Sequence, residues 1–209
     1  MNRLFLSILL IASIFECRSQ DQIAKDILDQ LSKTTRLYEN IRIEFSFELN
    51  NKTHNINDIQ NGVLELEKNK FRILMQDQII VNDGATQWLY LKESNELQIT
   101  ENDPEENTMN PNEIFTIYEK GYKYQYIGKK NIDGKEYDII DLFTEESSNF
   151  IKTTLTINSS KNQIKKISMQ DKNGGTYDYF INKFESNITL DKFEFESEKY
   201  SEIEIIDLR

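Results

Sequence analysis

Residues 41–49 read Ile-Arg-Ile-Glu-Phe-Ser-Phe-Glu-Leu, and this stretch decides the fold class. Apolar side chains alternate with polar ones, which is typical of a β-strand with one buried face and one solvated face. The same alternation recurs along the chain at 64–67, 71–75, 79–81, 88–90, 97–99, 122–126, 137–142, 151–157, 164–169 and 177–184, and more weakly at 193–195 and 203–206. Tight turns separate these segments, so the sequence predicts one antiparallel sheet of roughly 10 to 11 strands.

Two segments have helical rather than strand periodicity. Asp21 is a candidate N-cap for a first helix whose apolar stripe is Ile23, Ala24, Ile27, Leu28 and Leu31. A second, shorter helix is predicted after Asn110, with Pro111 at its first position and Gly121 as its stop. We therefore expect an α+β protein in which two helices pack on a large sheet.

A sheet of this size twists strongly and curves, which gives it a concave apolar face. The two predicted helices supply few apolar side chains compared with the strands. If they fill the concavity, it is an ordinary core; if they do not, an apolar cavity remains that could bind an apolar ligand. The sequence alone leaves both possibilities open.

Composition restricts the function. The chain has 209 residues and a net charge of −11 with an isoelectric point near 4.7, so it repels nucleic acid phosphates. His54 and Cys17 are its single histidine and single cysteine, too few for a zinc site of His and Cys ligands. His54 lies in a polar stretch and is expected to be a solvated loop residue. We expect a protein that is not an enzyme and needs no metal and no cofactor.

The first 19 residues have the layout of a cleaved signal peptide. A basic start is followed by the apolar run 4–15 and by Cys17-Arg-Ser19, with small residues where a signal peptidase cuts. The run is shorter than the ~20 apolar residues of a transmembrane helix, so we expect no membrane-spanning segment. A lipid-modified Cys17 is the competing interpretation, and Glu16 before it argues against this. The expected mature domain is 20–209.

Several segments, in their order along the chain, resemble the LolA family of periplasmic lipoprotein carriers. The most specific is 80–90, Ile-Val-Asn-Asp-Gly-Ala-Thr-Gln-Trp-Leu-Tyr, which is similar to the family's hairpin with Asp-Gly before Trp-x-Tyr. The first helix with the strand that follows, the strands at 61–72, the short helix at 111–118 and the segment 192–195 also resemble the family. The resemblance extends over nearly all of the mature chain.

The resemblance implies a half-open antiparallel barrel, an unclosed half-barrel, with helices over its concave face and a cavity that holds the acyl chains of a lipoprotein. It implies a periplasmic carrier that receives acylated lipoproteins from an inner-membrane lipoprotein-releasing ABC transporter and passes them to a possible outer-membrane acceptor. We expect it to be monomeric. The alternating residues expected to line the cavity, each with ordinary core as its alternative, are Phe45, Phe47, Leu64, Leu66, Phe71, Ile73, Met75, Trp88 and Tyr90.

The resemblance also implies a lid, for which Ile114, Phe115 and Tyr118 are the candidate residues. Family members often have Arg-Pro before the third strand, where the arginine holds the lid closed. Here Lys68 is nearest to that position, and a lysine lacks the bidentate fork of arginine.

Other functions remain open. A lipid-sensing regulatory protein on a related half-barrel is the main alternative, although such sensors usually carry a further C-terminal domain. An outer-membrane acceptor would require a lipid anchor at Cys17, and a hydrolase has little support from these residues.

Overall fold

The structure is a computed structural model that describes residues 20–51, 53–102, 115, 117–120, 122–143 and 150–209. Helix α1 covers 20–35, and short 3-10 helices cover Ile117–Lys120 and Ser197–Lys199. The strands are β1 (Ile41–Asn51), β2 (Ile56–Glu67), β3 (Lys70–Met75), β4 (Gln78–Asn82), β5 (Thr86–Leu91), β6 (Glu96–Glu101), β7 (Lys123–Ile132), β8 (Lys135–Phe143), β9 (Phe150–Asn158), β10 (Gln163–Asp171), β11 (Gly175–Ser186) and β12 (Glu204–Asp207).

All 12 strands form one unclosed sheet in the order β12-β6-β5-β4-β3-β2-β1-β11-β10-β9-β8-β7. Neighbouring strands pair antiparallel, except that β12 pairs parallel with β6. The chain thus builds one half of the sheet as a meander from β1 to β6. It builds the other half from β7 to β11 and joins the halves where β11 pairs with β1.

The alternation in β1 assigns each residue to one of two faces. One face carries Ile41, Ile43 and Phe45, which belong to the same buried cluster as Ala24, Leu28 and Leu31 of α1. We call this side of the sheet the helix face. Residues directly opposite each other in paired strands share a face, so the register extends this assignment across the sheet. Four of the five residues of the predicted apolar stripe of α1 therefore pack on the sheet, whereas Ile23 is exposed, so its prediction is wrong.

The opposite face has a smaller apolar core of its own. Residues 187–203 cross this face over β3, β4 and β5, and we call this segment the strap. Phe193 of the strap is buried, and the guanidinium of Arg72 lies 5.2 Å from its ring centroid. The ring of Tyr90 lies 4.5 Å from that of Tyr200 and 5.4 Å from that of Phe195. We call this side of the sheet the strap face.

Polar contacts fix both ends of the strap. Arg72 donates to the backbone carbonyl of Lys192 and, at 2.8 Å, to Glu65. The side chain of Asn95 donates to the carbonyls of Ser201 and Glu202. The strap therefore joins the end of β11 to β12 and covers one side of the meander.

Several expectations are corrected. The sheet has 12 strands rather than 10 or 11; the weakly predicted strand at 203–206 is present as β12, whereas residues 193–195 form no strand and are part of the irregular strap. Strand β2 begins at Ile56, inside the stretch expected to be a polar loop. Helix α1 already includes residue 20, so Asp21 is not its cap. The described part of the second helix is a 3-10 turn at Ile117–Lys120, and the predicted signal peptide and most of 111–118 lie outside the described residues.

Candidate functional site

The helix face is unequally buried in its two halves. On β8 to β10, which we call the packed wing, Phe150 at the start of β9 is half-buried, and seven other apolar side chains of this face are at most 4% exposed; they are Ile140, Leu142, Leu155, Ile157, Ile164, Ile167 and Met169. On β2 to β5, which we call the open wing, Leu66 and Phe71 of the same face are buried, but six other apolar side chains are only half-buried; they are Leu64, Ile73, Met75, Ile80, Leu89 and Leu91. The sheet therefore has an apolar surface that the described part of the chain leaves partly exposed.

Four of these side chains form a row across the open wing. Leu64 lies opposite Ile73, Ile73 opposite Ile80, and Ile80 opposite Leu89. Ile43 of β1 precedes Leu64 in the same row. With strands ~4.8 Å apart, the row from Ile43 to Leu89 extends about 19 Å.

Helix α1 lies toward the packed wing. Just after the helix, the Tyr38 hydroxyl accepts a hydrogen bond of 3.3 Å from Gln163 of β10. The side chains of the packed wing are thus covered, whereas Leu64, Ile73 and Ile80 of the open wing are only partly buried against the same cluster.

A cavity of about 690 Å³ lies between the end of α1 and the open wing. Its apolar lining consists of Ile41, Leu66 and Phe115, and its polar lining is Ser32, Thr35, Arg36, Tyr38, Glu39, Asn40, Glu67 and Lys68. This volume is within the roughly 300–1,000 Å³ of ligand pockets in proteins. Leu66 and Leu64 follow each other on the same face of β2, so the cavity adjoins the row of aliphatic side chains.

The segment 115–120 is fastened to α1. Phe115 and Tyr118 are buried in the main cluster, and the Tyr118 hydroxyl donates to Asp29 at 3.1 Å. Burial raises the pKa of Tyr118 to about 12. The Lys25 ammonium, and after it the Tyr118 hydroxyl, hold the pKa of Asp29 below its usual range. Two of the three lid candidates therefore close over the apolar cluster, and Ile114 lies outside the described residues.

Arg36 makes the strongest contact to this segment. Its guanidinium donates two hydrogen bonds of 2.8 Å to the two carboxylate oxygens of Glu119, and Ser32 donates a third at 3.2 Å. A bidentate pair of this kind is directional as well as attractive. Lys68 lies exposed in the β2–β3 turn and lines the cavity, but within the described ranges it makes no bond to residues 115–120. Arg36 therefore contacts Glu119, and the expected role of Lys68 as a lid latch stays a prediction.

An aromatic cluster borders the open wing at its other end. The rings of Phe47 and Tyr179 lie 4.9 Å apart, those of Phe45 and Tyr179 lie 6.2 Å apart, and Phe150 meets Tyr177 edge-on at 5.4 Å. Opposite Phe45 stands Gly62, where an added Cβ would come within 2.5 Å of the Phe45 ring. The glycine thus makes room for this ring to lie over β2. Phe45 is buried, whereas Phe47, Tyr177 and Tyr179 are half-buried.

Seven of the nine predicted cavity residues share the helix face, and two do not. The register pairs Trp88 with Val81 and Tyr90 with Ile79, and these four residues are on the strap face. The expectation that Trp88 and Tyr90 belong to the same apolar wall as Phe71 and Ile73 is wrong. Tyr90 packs against the strap instead, and its hydroxyl donates to Asn95 at 2.9 Å. Whether the other seven residues contact a ligand stays a prediction.

The sequence also missed residues that belong to the site. Ile80, Leu89 and Leu91 continue the open wing, and the alternation within β4 and β5 could have identified them. Arg36 and Glu119 are 83 positions apart, and no local pattern joins them. Tyr177 and Tyr179 were assigned to a strand but not to the site, because their face depends on the pairing of β11 with β1.

Other kinds of site have little support. Across the described ranges, no group of three or more His, Cys, Asp or Glu side chains is placed to hold a metal ion. His54 is exposed in the turn between β1 and β2, as expected. Within the part of the chain that the structure covers, no helix is long and apolar enough to span a membrane.

Comparison with known proteins identifies a matching family and a distant relative. The family described as outer membrane lipoprotein carrier protein LolA matches residues 19–173. An uncharacterized protein of Methanocaldococcus jannaschii, MJ0687, is 28% identical over 201 residues, which are 92% of this chain and 57% of that protein. The chain therefore spans little more than half the length of this relative.

Solved structures share the fold at low sequence identity. An uncharacterized conserved protein from Thermus thermophilus has a TM-score of 0.56 and 13% identity, with 88% of this chain and 98% of that chain covered. The protein MucB has a TM-score of 0.50 and 13% identity, with 85% of this chain and 64% of that chain covered. At such identities these similarities concern the fold alone.

Proposed function

Because this chain belongs to the LolA family of outer membrane lipoprotein carrier proteins, we propose that it carries acylated lipoproteins by binding their acyl chains on the open wing and in the adjoining cavity. The family match leaves open which molecule is bound and where. The proposal for this chain rests on one observation, the half-buried aliphatic row of the open wing beside a cavity of about 690 Å³.

The energetics of this surface favour an acyl ligand. Each CH₂ group removed from water contributes about 0.8 kcal/mol, so long acyl chains are costly to expose and gain strongly from an apolar surface. A row of Leu and Ile side chains offers dispersion contacts without polar groups that would need hydrogen bonds. Binding and release of this kind require no chemical step, which fits a chain proposed to be a carrier and not an enzyme.

The geometry provides a path for an extended chain. From Phe47, in the aromatic cluster, to Ile41, in the cavity lining, is six residues along β1, or about 20 Å. Leu64 and Leu66 of β2 flank the same path opposite Ile43 and Ile41. Ile41, Ile43 and Phe45 of β1 are already buried in the cluster with α1, so we propose that acyl chains lie beside this strand, over the half-buried row from Leu64 to Leu89 that adjoins the cavity.

The segment 115–120 acts as the lid in this proposal. Its bonds to α1 through Arg36, Ser32 and Asp29 hold it over the cluster, and their release would open the cavity. Exposed ion pairs contribute only about 0–1 kcal/mol. A latch of this strength holds the lid closed but lets a bound chain or a partner displace it.

The cellular setting is part of the same proposal. Residues 1–19 would act as a signal peptide, and the mature chain would work as a periplasmic monomer. Its partners would be an inner-membrane lipoprotein-releasing ABC transporter and a possible outer-membrane acceptor.

Two neighbouring isoleucines of β4 provide a matched test. Ile80 is half-buried on the helix face, and Ile79 is half-buried on the strap face. Ile80→Glu should weaken the binding of a fluorescent long-chain fatty acid at least tenfold, because it puts a carboxylate into the aliphatic row. Ile79→Glu should leave this affinity nearly unchanged. Circular dichroism and unfolding curves of both variants establish that they are folded, and equal affinities would refute the proposed site.

The cargo is identified by a second experiment. The mature protein is purified from its native compartment, and the molecules that copurify with it are analysed by mass spectrometry. Acylated polypeptides support carriage of lipoproteins. Free phospholipid or glycolipid alone would favour the alternative, a lipid-sensing binding protein on the same scaffold.

A further inference from the structure

One row of side chains on the open wing is apolar from end to end. It is the aliphatic row, in which Leu64, Ile73, Ile80 and Leu89 lie opposite one another across β2 to β5. The row on one side of it becomes polar at Asn82 and Gln87, which pair with each other. The row on the other side is interrupted at Gly62, which has no side chain, and at Gln78. An extended hydrocarbon chain therefore finds one straight apolar line across these four strands.

The aliphatic row ends at β6. Leu89 lies opposite Gln98, and the neighbouring Leu91 lies opposite Glu96. The Gln98 amide donates a hydrogen bond of 2.6 Å to the Glu96 carboxylate, and both side chains are half-buried. At its other end the row reaches Ile43, which is buried in the cluster with α1. The accessible part of the row is thus limited to the strands from β2 to β5.

The polar pair on β6 is a barrier to hydrocarbon. Acyl carbons that cover the Gln98 amide or the Glu96 carboxylate take these groups out of water without offering a hydrogen bond, which costs free energy. Carbons that cover the leucine and isoleucine side chains of the row gain free energy instead. We propose that Gln98 limits the length of the acyl chain that the open wing accepts, because the chain stays on the sheet as far as Leu89 and leaves it at β6. This inference rests on the proposed function and names the residue that sets its specificity.

The dimensions of the row translate into a chain length. From Leu64 to Leu89 the row crosses three strand spacings of ~4.8 Å, which is about 14 Å. An extended hydrocarbon with bonds of about 1.5 Å advances about 1.25 Å per carbon, so about 11 CH₂ groups cover the row. One further strand would add about four CH₂ groups at the same spacing. The cavity beside Leu66 adds the same length in every variant of β5 or β6.

A series of saturated fatty acids of increasing length tests this limit. For each acid the affinity is measured with the wild type, with Gln98→Leu and with Leu89→Gln. Each added CH₂ should strengthen binding about three- to fourfold until the row and the cavity are filled, and further CH₂ groups should add little. Gln98→Leu extends the row by one strand and should move this break to acids about four CH₂ groups longer, whereas Leu89→Gln should move it to acids about four CH₂ groups shorter.

Gln87→Leu is the matched control. It makes the same exchange on the same face, but Gln87 stands beside the aliphatic row and does not continue it. It should therefore leave the break at the same acid length as in the wild type. Methyl NMR gives an independent readout, because the methyl groups introduced by Gln98→Leu should shift when a long acid is added and stay nearly constant when a short acid is added. Unfolding curves establish that each variant keeps its fold.

The outcomes separate this inference from the proposed function. A break at the same acid length in Gln98→Leu and in the wild type, or an equal displacement in Gln87→Leu, overturns the inference and leaves the proposed acyl site intact. A wild-type affinity that keeps rising with length through the whole series overturns it as well. Failure of the wild type to bind any of these acids refutes the proposed function itself.

Discussion

The two wings of the sheet have similar apolar side chains and opposite degrees of burial. On the packed wing, Ile140 and Ile157 are completely inaccessible, and α1 with the segment 115–120 fills the space above them. On the open wing, Ile73 and Ile80 are only half-buried, although their strands lie beside the same β1. The same sheet face is thus closely packed in one half and, among the described residues, only partly covered in the other.

The other side of the open wing explains how it can remain a stable wall. The strap covers the strap face of β3 to β5 with Phe193, Phe195 and Tyr200, so these strands bury apolar surface on one side even when the helix face is free. The packed wing is stabilised from the helix face. The open wing is stabilised from the strap face, which leaves its helix face available to a ligand.

The largest expected effect contrasts one isoleucine from each wing. Ile157→Ala should lower the free energy of unfolding by about 2–5 kcal/mol, because it leaves a cavity in a filled core. Ile73→Ala should lower it by about 1 kcal/mol, since its side chain is already partly hydrated. Urea denaturation of both variants measures the difference. Equal losses would show that the two wings are packed alike.

The strap provides the next test. Phe193→Leu should lower the free energy of unfolding by about 1–1.5 kcal/mol, through imperfect packing and loss of the contact with Arg72. It should leave fatty acid affinity unchanged, because Phe193 packs on the face opposite the proposed site. The fluorescence of Trp88, which is on the strap face, reports local changes there. A large loss of affinity in this variant would mean that the strap shapes the helix face.

Much of this architecture can be predicted from the sequence. Where the prediction fails, the failure has a physical reason. The alternation in 41–49 correctly predicts the strand that joins the two halves, and the stripe of α1 correctly predicts its buried side. The alternation of apolar and polar residues shows which side chains of one strand share a face. It does not show which face of the next strand, after a turn, lies on the same side of the sheet. Residues 83–85 form the turn between β4 and β5, in which Asn82 pairs with Gln87, and this pairing puts Trp88 on the strap face.

The difference between the wings could not be predicted in the same way. Ile73 and Ile157 have equally apolar neighbours two residues along their strands, and only the position of α1 distinguishes them. Phe193 and Phe195 have the spacing of a strand, but the segment lies over the sheet and pairs with none of its strands. Both features depend on tertiary structure, which local sequence patterns do not show.

A smaller effect is expected at the contact between Arg36 and Glu119. A double-mutant cycle of Arg36→Ala and Glu119→Ala should give a coupling energy of about 0.5–1 kcal/mol, because both side chains are considerably exposed. Each single variant should also release a bound fatty acid faster in stopped-flow measurements. A coupling energy near zero, with unchanged release, would remove this pair from the lid.

The smallest effect under ordinary conditions appears only at high pH. Burial raises the pKa values of Tyr118 and Tyr126 from 10.0 to about 12. The folded protein therefore keeps these protons where the unfolded chain loses them. This stabilisation is complete below pH 10 and is lost as the pH rises toward 12.

Unfolding curves recorded between about pH 9 and about pH 12 measure this loss of stability. Tyr118→Phe and Tyr126→Phe should each make the decline in stability less steep. A decline that is the same in both variants and in the wild type would show that neither tyrosine causes it.

The central claim, that an acyl chain binds on the open wing, is tested most directly by isoleucine methyl NMR. A fatty acid is added to the protein, and the methyl signals of both wings are followed. Ile73 and Ile80 should shift strongly, whereas Ile140 and Ile157 in the packed wing and Ile79 on the strap face should stay nearly constant. Large shifts confined to the packed wing or to the strap face would contradict the account.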